Sequence, residues 1–205
     1  MPESQKSSPP ARKPSPNREK LLAAARQLMA EKGYAGTGTE EIVRSAGVTR
    51  GALYYQFVDK RDLFRALCEA LTHEIAGRLY EGTMRPGMSE VDELAVGAAM
   101  LLDLYGEPEI RQILLLDGPA VLGWEAWRAV QAPVSLGLLT HALGHLVDAE
   151  RIESDQVEPL AQLLFGALSQ AGIAIAQASD PAAERLRYRA NLDALLAGIG
   201  AATRA

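Results

Sequence analysis

The stretch that most constrains this chain is TEEIVRSAGVTRGALYYQF, residues 39–57. It reads as two short helices joined by a tight turn. Glu40, Glu41, Ile42 and Val43 open the first helix, and Ala46-Gly47 closes it. Gly47 suits the left-handed residue that ends a helix, because it has no Cβ to clash with its own backbone. Val48 is expected inside the turn. The hydroxyl of Thr49 is placed to accept a free N–H at the start of the second helix. On that helix Leu53 and Phe57 stand on one face, while Arg50, Gly51, Tyr54 and Tyr55 take another. The first face can pack and the second can enter a DNA groove. Two helices with a short Gly-containing turn form the helix-turn-helix pattern.

Charge agrees with that placement only when it is divided along the chain. The formal net charge is −5. Residues 1–65 hold 12 Lys/Arg against 7 Asp/Glu, and residues 66–205 hold 9 against 19. The first third can meet phosphate; the acidic remainder is not a nucleic-acid surface. The single cysteine, Cys68, excludes an internal disulfide framework and fits a reducing compartment. No apolar signal-peptide core is seen near residue 1. The most apolar long run, residues 160–178, is interrupted by Gln162, Ser169, Gln170 and Gln177, which suits a buried packing helix better than a membrane span.

The rest of the chain reads as helices, with no period-two strand pattern. Residues 1–17 are rich in Pro, Ser and Lys and are expected to form a disordered basic arm. A first helix is expected from Arg18 to Lys32, ended by Gly33. Thr37 and Glu40, three apart, resemble a capping box. Asp59 should cap a long fourth helix whose stripe is Leu63, Phe64, Leu67, Cys68, Leu71, Ile75 and Leu79. That helix would link two domains. A fifth helix is expected over 89–105 and a sixth over 109–116, ended by Asp117-Gly118-Pro119. Pro133 should open a seventh, residues 155–178 form an eighth, and Pro181 begins a ninth. The expected fold is all-α, with about nine helices.

Residues 18–67 resemble the DNA-binding domain of the TetR family of bacterial repressors. The resemblance rests on Gly33-Tyr34, Thr37, Ile42, Ala46-Gly47-Val48-Thr49, Gly51, Leu53-Tyr54, Phe57, Lys60 and Leu63. Gln56 and Gly38 depart from it, standing where many members carry His and Thr. The resemblance implies a helix-turn-helix domain over 18–66 and an effector-binding and dimerisation domain over 67–205. It places Arg50 and Gly51 at base edges, where an Arg fork can read guanine O6 and N7. Thr37, Thr39, Thr49, Tyr54, Tyr55, Gln56 and Lys60 fall at phosphate-contacting positions, which set register rather than sequence. Lys60 would act as a mobile charge at the start of its helix.

The implied function is a cytoplasmic, homodimeric repressor that leaves a palindromic operator when a small, largely apolar effector binds. Effector candidates are Leu71, Ile75, Met100, Leu104, Tyr105, Leu114, Trp124, Trp127, His141 and His145. Dimer candidates, stepping by three and four along the last two helices, are Leu160, Leu164, Ala167, Ala171, Ala174, Leu192 and Leu196. His141 and His145 are spaced to share a metal, yet no third ligand is evident, so no metal or other cofactor is expected. Neither a phosphate-binding G-x-x-x-x-G-K-[ST] nor a nucleophile G-x-S-x-G occurs, which argues against an enzyme. Two rivals stay open: a helical ligand-binding module without operator binding, and a small metal-binding helical protein.

Overall fold

Ser15 fixes where the first helix begins. Its Oγ accepts the N–H of Arg18 at 3.3 Å, and Pro16 follows at a position that has no N–H to lose. The computed structural model describes residues 15–83 and 89–201. Helix α1 is Pro16–Lys32, so Asn17 and Pro16 belong to a helix rather than to the expected arm. Residues 1–14 of that arm lie outside the described residues. Gly33 and Gly47 stop α1 and α2 (Thr39–Ala46) with φ of 71° and 62°, in the left-handed half of backbone space. Helix α3 is Arg50–Gln56, and α4, Lys60–Thr83, starts with the N–H of Asp62 donated to Asp59 Oδ1 at 2.7 Å. Helix α5 is Glu90–Tyr105, capped by Ser89.

Helix α6 departs from the regular pattern. It starts as Pro108–Ile110, widens into a π-helical stretch at Arg111–Asp117 and returns to α-helix at Gly118–Leu122. The expected stop at Asp117-Gly118-Pro119 is therefore a change of helix type, not an end. Such wide turns are uncommon and frequently sit at functional sites. Gly123, with φ of 77°, then ends the helix. Helix α7 is Trp124–Asp148, and Pro133 lies inside it instead of opening it. Proline there forgoes the bond to the carbonyl of Ala129, a cost that the packing of Trp127, Leu143 and Leu146 outweighs. A short 3₁₀ turn, Ser154–Gln156, leads into α8, Val157–Gln177, and α9 is Pro181–Ala201. These nine helices are the architecture of the described residues, among which there is no strand.

One core runs through the helices. Leu21, Ala25 and Met29 of α1 meet Ile42, Leu53, Phe57 and Phe64 around the helix-turn-helix. The stripe of α4 continues from there: Leu63 to Ile75 is buried as the spacing predicts, and Leu79 is half-buried. Burial pushes the Cys68 thiol up to about 12, so it serves as a small apolar group. Residues 154–177 are long and apolar enough to cross a membrane, and half of their most apolar 18-residue window is buried inside the protein.

The two tryptophans have opposite environments. Trp127 is 1% exposed and donates its Nε1–H to the carbonyl of Leu114 at 2.7 Å, tying α7 to the π-stretch of α6. Gly118 makes that fit possible, since a Cβ there would lie 2.6 Å from the indole. Trp124 is 49% exposed. Trp127→Ala should therefore cost about 3–5 kcal/mol in urea unfolding, against about 1 kcal/mol or less for Trp124→Ala.

Candidate functional site

The recognition surface is built by what α3 buries. Leu53 and Phe57 turn inward, with at most 2% exposure. Arg50, Gly51, Tyr54 and Tyr55 are thereby left on the solvent side of the same short helix. Tyr54 and Tyr55 are 46% and 69% exposed, so neither is a core aromatic. Thr49 caps the helix, accepting the N–H of Ala52 at 3.2 Å. The guanidinium of Arg50 sits 5.6 Å from the Tyr54 ring centroid and 3.0 Å from Glu40 of α2. An exposed pair of this kind contributes little to stability. Its effect is to hold an exposed cation above the solvent-facing side of α3.

Three expectations for this surface change. Thr37 is 1% exposed and donates its hydroxyl to the carbonyl of Gly33 at 2.8 Å, so it faces the core and cannot touch phosphate. The capping box of Thr37 and Glu40 is absent, because Gly38 is the N-cap of α2 and no side chain caps it. Thr39 is half-buried at the first position of α2, and Gln56 is half-buried at the end of α3. Lys60 is tethered, not mobile. Its ammonium donates to the carbonyl of Tyr34 and lies 4.0 Å from that ring's centroid. Partial burial lowers its pKa.

The π-stretch of α6 joins this surface to the rest of the molecule. Asp117 Oδ2 accepts the backbone N–H of Tyr34 at 2.7 Å and the amide of Gln112 at 3.2 Å. Arg61, at the start of α4, donates to the carbonyls of Val121 and Leu122 at 3.1 and 2.8 Å. Arg26 of α1 forks onto Glu109 at 2.7 Å through both Nε and Nη2, and reaches Glu74 of α4 at 2.6 Å.

Leu114, three residues before Asp117, lines a cavity enclosed by α4 to α9. The cavity offers water-sized molecules about 100 Å³ of room, several times what one water needs. Of the candidate effector residues, Ile75, Tyr105, Leu114 and His141 line it. The others do not. Leu71 is core within α4, Trp127 is sealed behind α6, and Trp124 is on the surface. Met100 and Leu104 face a separate shallow hollow beside Arg78 and Glu107. His145 stands behind the wall, its Nδ1 2.8 Å from Glu93 and its ring 4.5 Å from that of His141. Among the described residues no group of three or more His, Cys, Asp or Glu is arranged to hold a metal ion.

Sequence reasoning missed Gln131, Thr72, Glu93, Phe165 and Ser169, all of which line the cavity. On α7 the cavity side carries Gln131, Ser135 and His141 among Val134, Leu138, Leu139 and Ala142. Burial pushes the Tyr105 hydroxyl above its ordinary value, so it stays neutral.

The expected dimer face also changes. Leu164, Ala171, Leu192 and Leu196 are buried inside the protomer, and all of these but Ala171 line the cavity. Leu160 and Ala174 are half-buried, and Ala167 is exposed. Helix α8 is apolar around much of its circumference, so spacing alone could not choose a side. Its outer side carries Leu163, at 69% exposure, with Ala167, Gln170 and Ala174 at steps of four and three. Leu186 and Leu195 of α9 are also exposed.

Comparison with known proteins adds to this geometry. A family model for bacterial regulatory proteins of the tetR family matches residues 21–67. A second, for a tetracyclin repressor-like C-terminal domain, matches residues 91–199. The HTH-type transcriptional repressor AcnR of Corynebacterium glutamicum is 37% identical over 79 residues, 38% of this chain and 40% of that protein. The HTH-type transcriptional regulator TtgR of Pseudomonas putida is 35% identical over 92 residues, 44% and 41% of the two chains. The chain thus spans less than half the length of either of these curated relatives. The crystal structure of a TetR-family transcriptional regulator from Pectobacterium atrosepticum superposes with a TM-score of 0.77 at 30% identity, covering 89% of this chain and 93% of that one.

The Arg26 cluster gives a pH-dependent expectation. Its hydrogen bonds to Arg26 hold the Glu74 carboxyl below its usual range. A lowered folded value means the stabilisation is complete above the ordinary Glu pKa, about 4.3, and is lost as pH falls through the folded value. Arg26→Gln should lower stability at pH 7 by on the order of 1 kcal/mol. Its urea midpoint should also fall less steeply than the wild type's as the pH is lowered below about 5.

Proposed function

We propose that this chain, which belongs to the TetR family of bacterial regulatory proteins, is a cytoplasmic, homodimeric transcriptional repressor. It reads a palindromic operator with α3 and leaves that operator when a small, largely apolar molecule fills the cavity. The carrying observation is the solvent-facing side of α3, where Arg50, Gly51, Tyr54 and Tyr55 stand clear of the core. Arg50 can present its fork of donors to a guanine, Gly51 lets the backbone approach, and the tyrosines and Thr49 lie where phosphates flank a groove. Glu40 must give up Arg50 on binding, which is cheap for an exposed pair. The domain limits that fit this reading are 18–66 for DNA and 67–205 for effector and partner.

Two-fold symmetry follows from the operator. Two copies would pair through the outer side of α8 and α9, burying Leu163, Leu186 and Leu195, in a four-helix interface. The molecule in the cavity acts only if it favours the dimer geometry in which the two α3 helices no longer match adjacent major grooves.

Operators are first selected from random double-stranded DNA. Across a salt series, Arg50→Ala should then lose roughly 1–3 kcal/mol per half-site on the selected operator and little on scrambled DNA. Equal loss on both would make Arg50 a phosphate contact, and no loss would remove α3 as the working surface. In light scattering Leu163→Glu should be monomeric, since an unpaired charge buried at an interface costs several kcal/mol. A dimeric Leu163→Glu would place the interface elsewhere.

A further inference from the structure

We infer that Lys60 serves operator reading as a positioning residue and not as a phosphate contact: its ammonium pins the loop between α1 and α2 to the start of α4, and so fixes how α2 and α3 are carried. This rests on the reading of α3 as the DNA surface and adds a residue that acts through another. The observation is the surroundings of Tyr34. Its carbonyl accepts the Lys60 ammonium, and its ring centroid lies 4.0 Å from the same Nζ. A cation on a carbonyl and over a ring face gains from both. The N–H of Tyr34 is donated to Asp117 at 2.7 Å. Both backbone groups of this one residue are thus held by side chains from outside the loop. To meet a phosphate, Lys60 would have to leave the carbonyl and the ring together.

The loop passes this constraint to α2. The Tyr34 carbonyl also accepts the N–H of Thr37 at 3.3 Å, and Thr37 returns its hydroxyl to the carbonyl of Gly33 at 2.8 Å. One residue later Gly38 is the N-cap of α2, with no side chain to cap it. Where α2 begins is therefore set by the loop and not by a cap of its own. Helix α3 follows through the turn at Gly47, and Phe57, Val58 and Asp59 alone separate α3 from α4. The α2–α3 pair is thus fastened to α4 at both ends, by the chain itself after α3 and by Lys60 before α2. A methionine at position 60 could still cover the ring but would leave the carbonyl without this donor. The charge of Asp117 favours the ammonium form, against the burial that disfavours it.

Two variants of the full chain test this. Lys60→Met keeps the stem and removes the charge, and Tyr34→Leu removes the ring and keeps the carbonyl. Binding to the selected operator and to scrambled DNA is measured across a salt series. Lys60→Met should lose about tenfold on the operator and less than about twofold on scrambled DNA, with the salt slope unchanged. Combined with Tyr34→Leu it should lose less than the product of the two single losses, since both break one contact. In hydrogen exchange without DNA, residues 34–46 of Lys60→Met should exchange at least about threefold faster than in the wild type, with α8 unchanged. Equal losses on both DNAs, with the salt slope flattened by about two per dimer, would make Lys60 a phosphate contact and overturn the inference. So would full operator affinity in Lys60→Met, single losses that simply multiply, or a lower melting temperature with the operator-to-scrambled ratio intact. If Lys60→Met does not fold, Tyr34→Leu decides alone: a tethered Lys60 requires that ratio to fall, and a phosphate-bound one leaves it as in the wild type. Failure of the wild type to select any operator counts against the DNA reading, whereas unchanged exchange in Lys60→Met counts against the tether, so the two failures are distinct.

Discussion

Asp117 accepts the backbone N–H of Tyr34 at 2.7 Å, and the relation between the two ends of the molecule depends on that contact. Tyr34 lies in the loop between α1 and α2. Its N–H is bound by α6, its carbonyl by Lys60 of α4, and its ring packs on Phe64 with centroids 5.0 Å apart. The loop that sets the angle of the helix-turn-helix is thus held by both helices that lead to the cavity. The charge of Asp117 also acts on Lys60, opposing the fall in pKa that burial imposes.

The π-stretch makes those contacts simultaneous. Within Arg111–Asp117, Leu114 turns its side chain to the cavity and its carbonyl to Trp127, while Asp117 reaches Tyr34. Wide turns of this kind are uncommon and frequently sit at functional sites. Under the proposed function, a ligand against Leu114 need shift α6 only slightly to disturb Asp117 and the backbone carbonyls held by Arg61. Arg26 limits where that shift can go, since it fastens α1 to α4 and to the start of α6.

Local chemistry was legible in the sequence, and distant neighbours were not. The left-handed Gly47, the cap at Thr49 and the inward Leu53 and Phe57 are decided by residues within a few positions of one another. The stripe of α4 was legible because it has one buried side. Thr37 was misread because two local bonds were open to it, and the backbone bond to Gly33 won over capping. Pro133 was misread as a start because tertiary packing carries α7 through it. The cavity residues depend on which sides of α5, α7 and α8 meet. For α8 the apolar positions go nearly all round, so Leu164 and Leu163 look alike in sequence and take opposite roles.

Under the proposed function, two α3 helices of a dimer engage adjacent turns of one DNA face, and the filled cavity undoes this. Hydroxyl-radical footprinting on a selected operator measures it most directly. The expected result is two symmetric protected patches on one face, about 34 Å or a multiple apart, fading together as a cavity-binding molecule is added. Contradiction would be an unprotected operator at saturating protein, or paired patches that persist unchanged when the cavity is full.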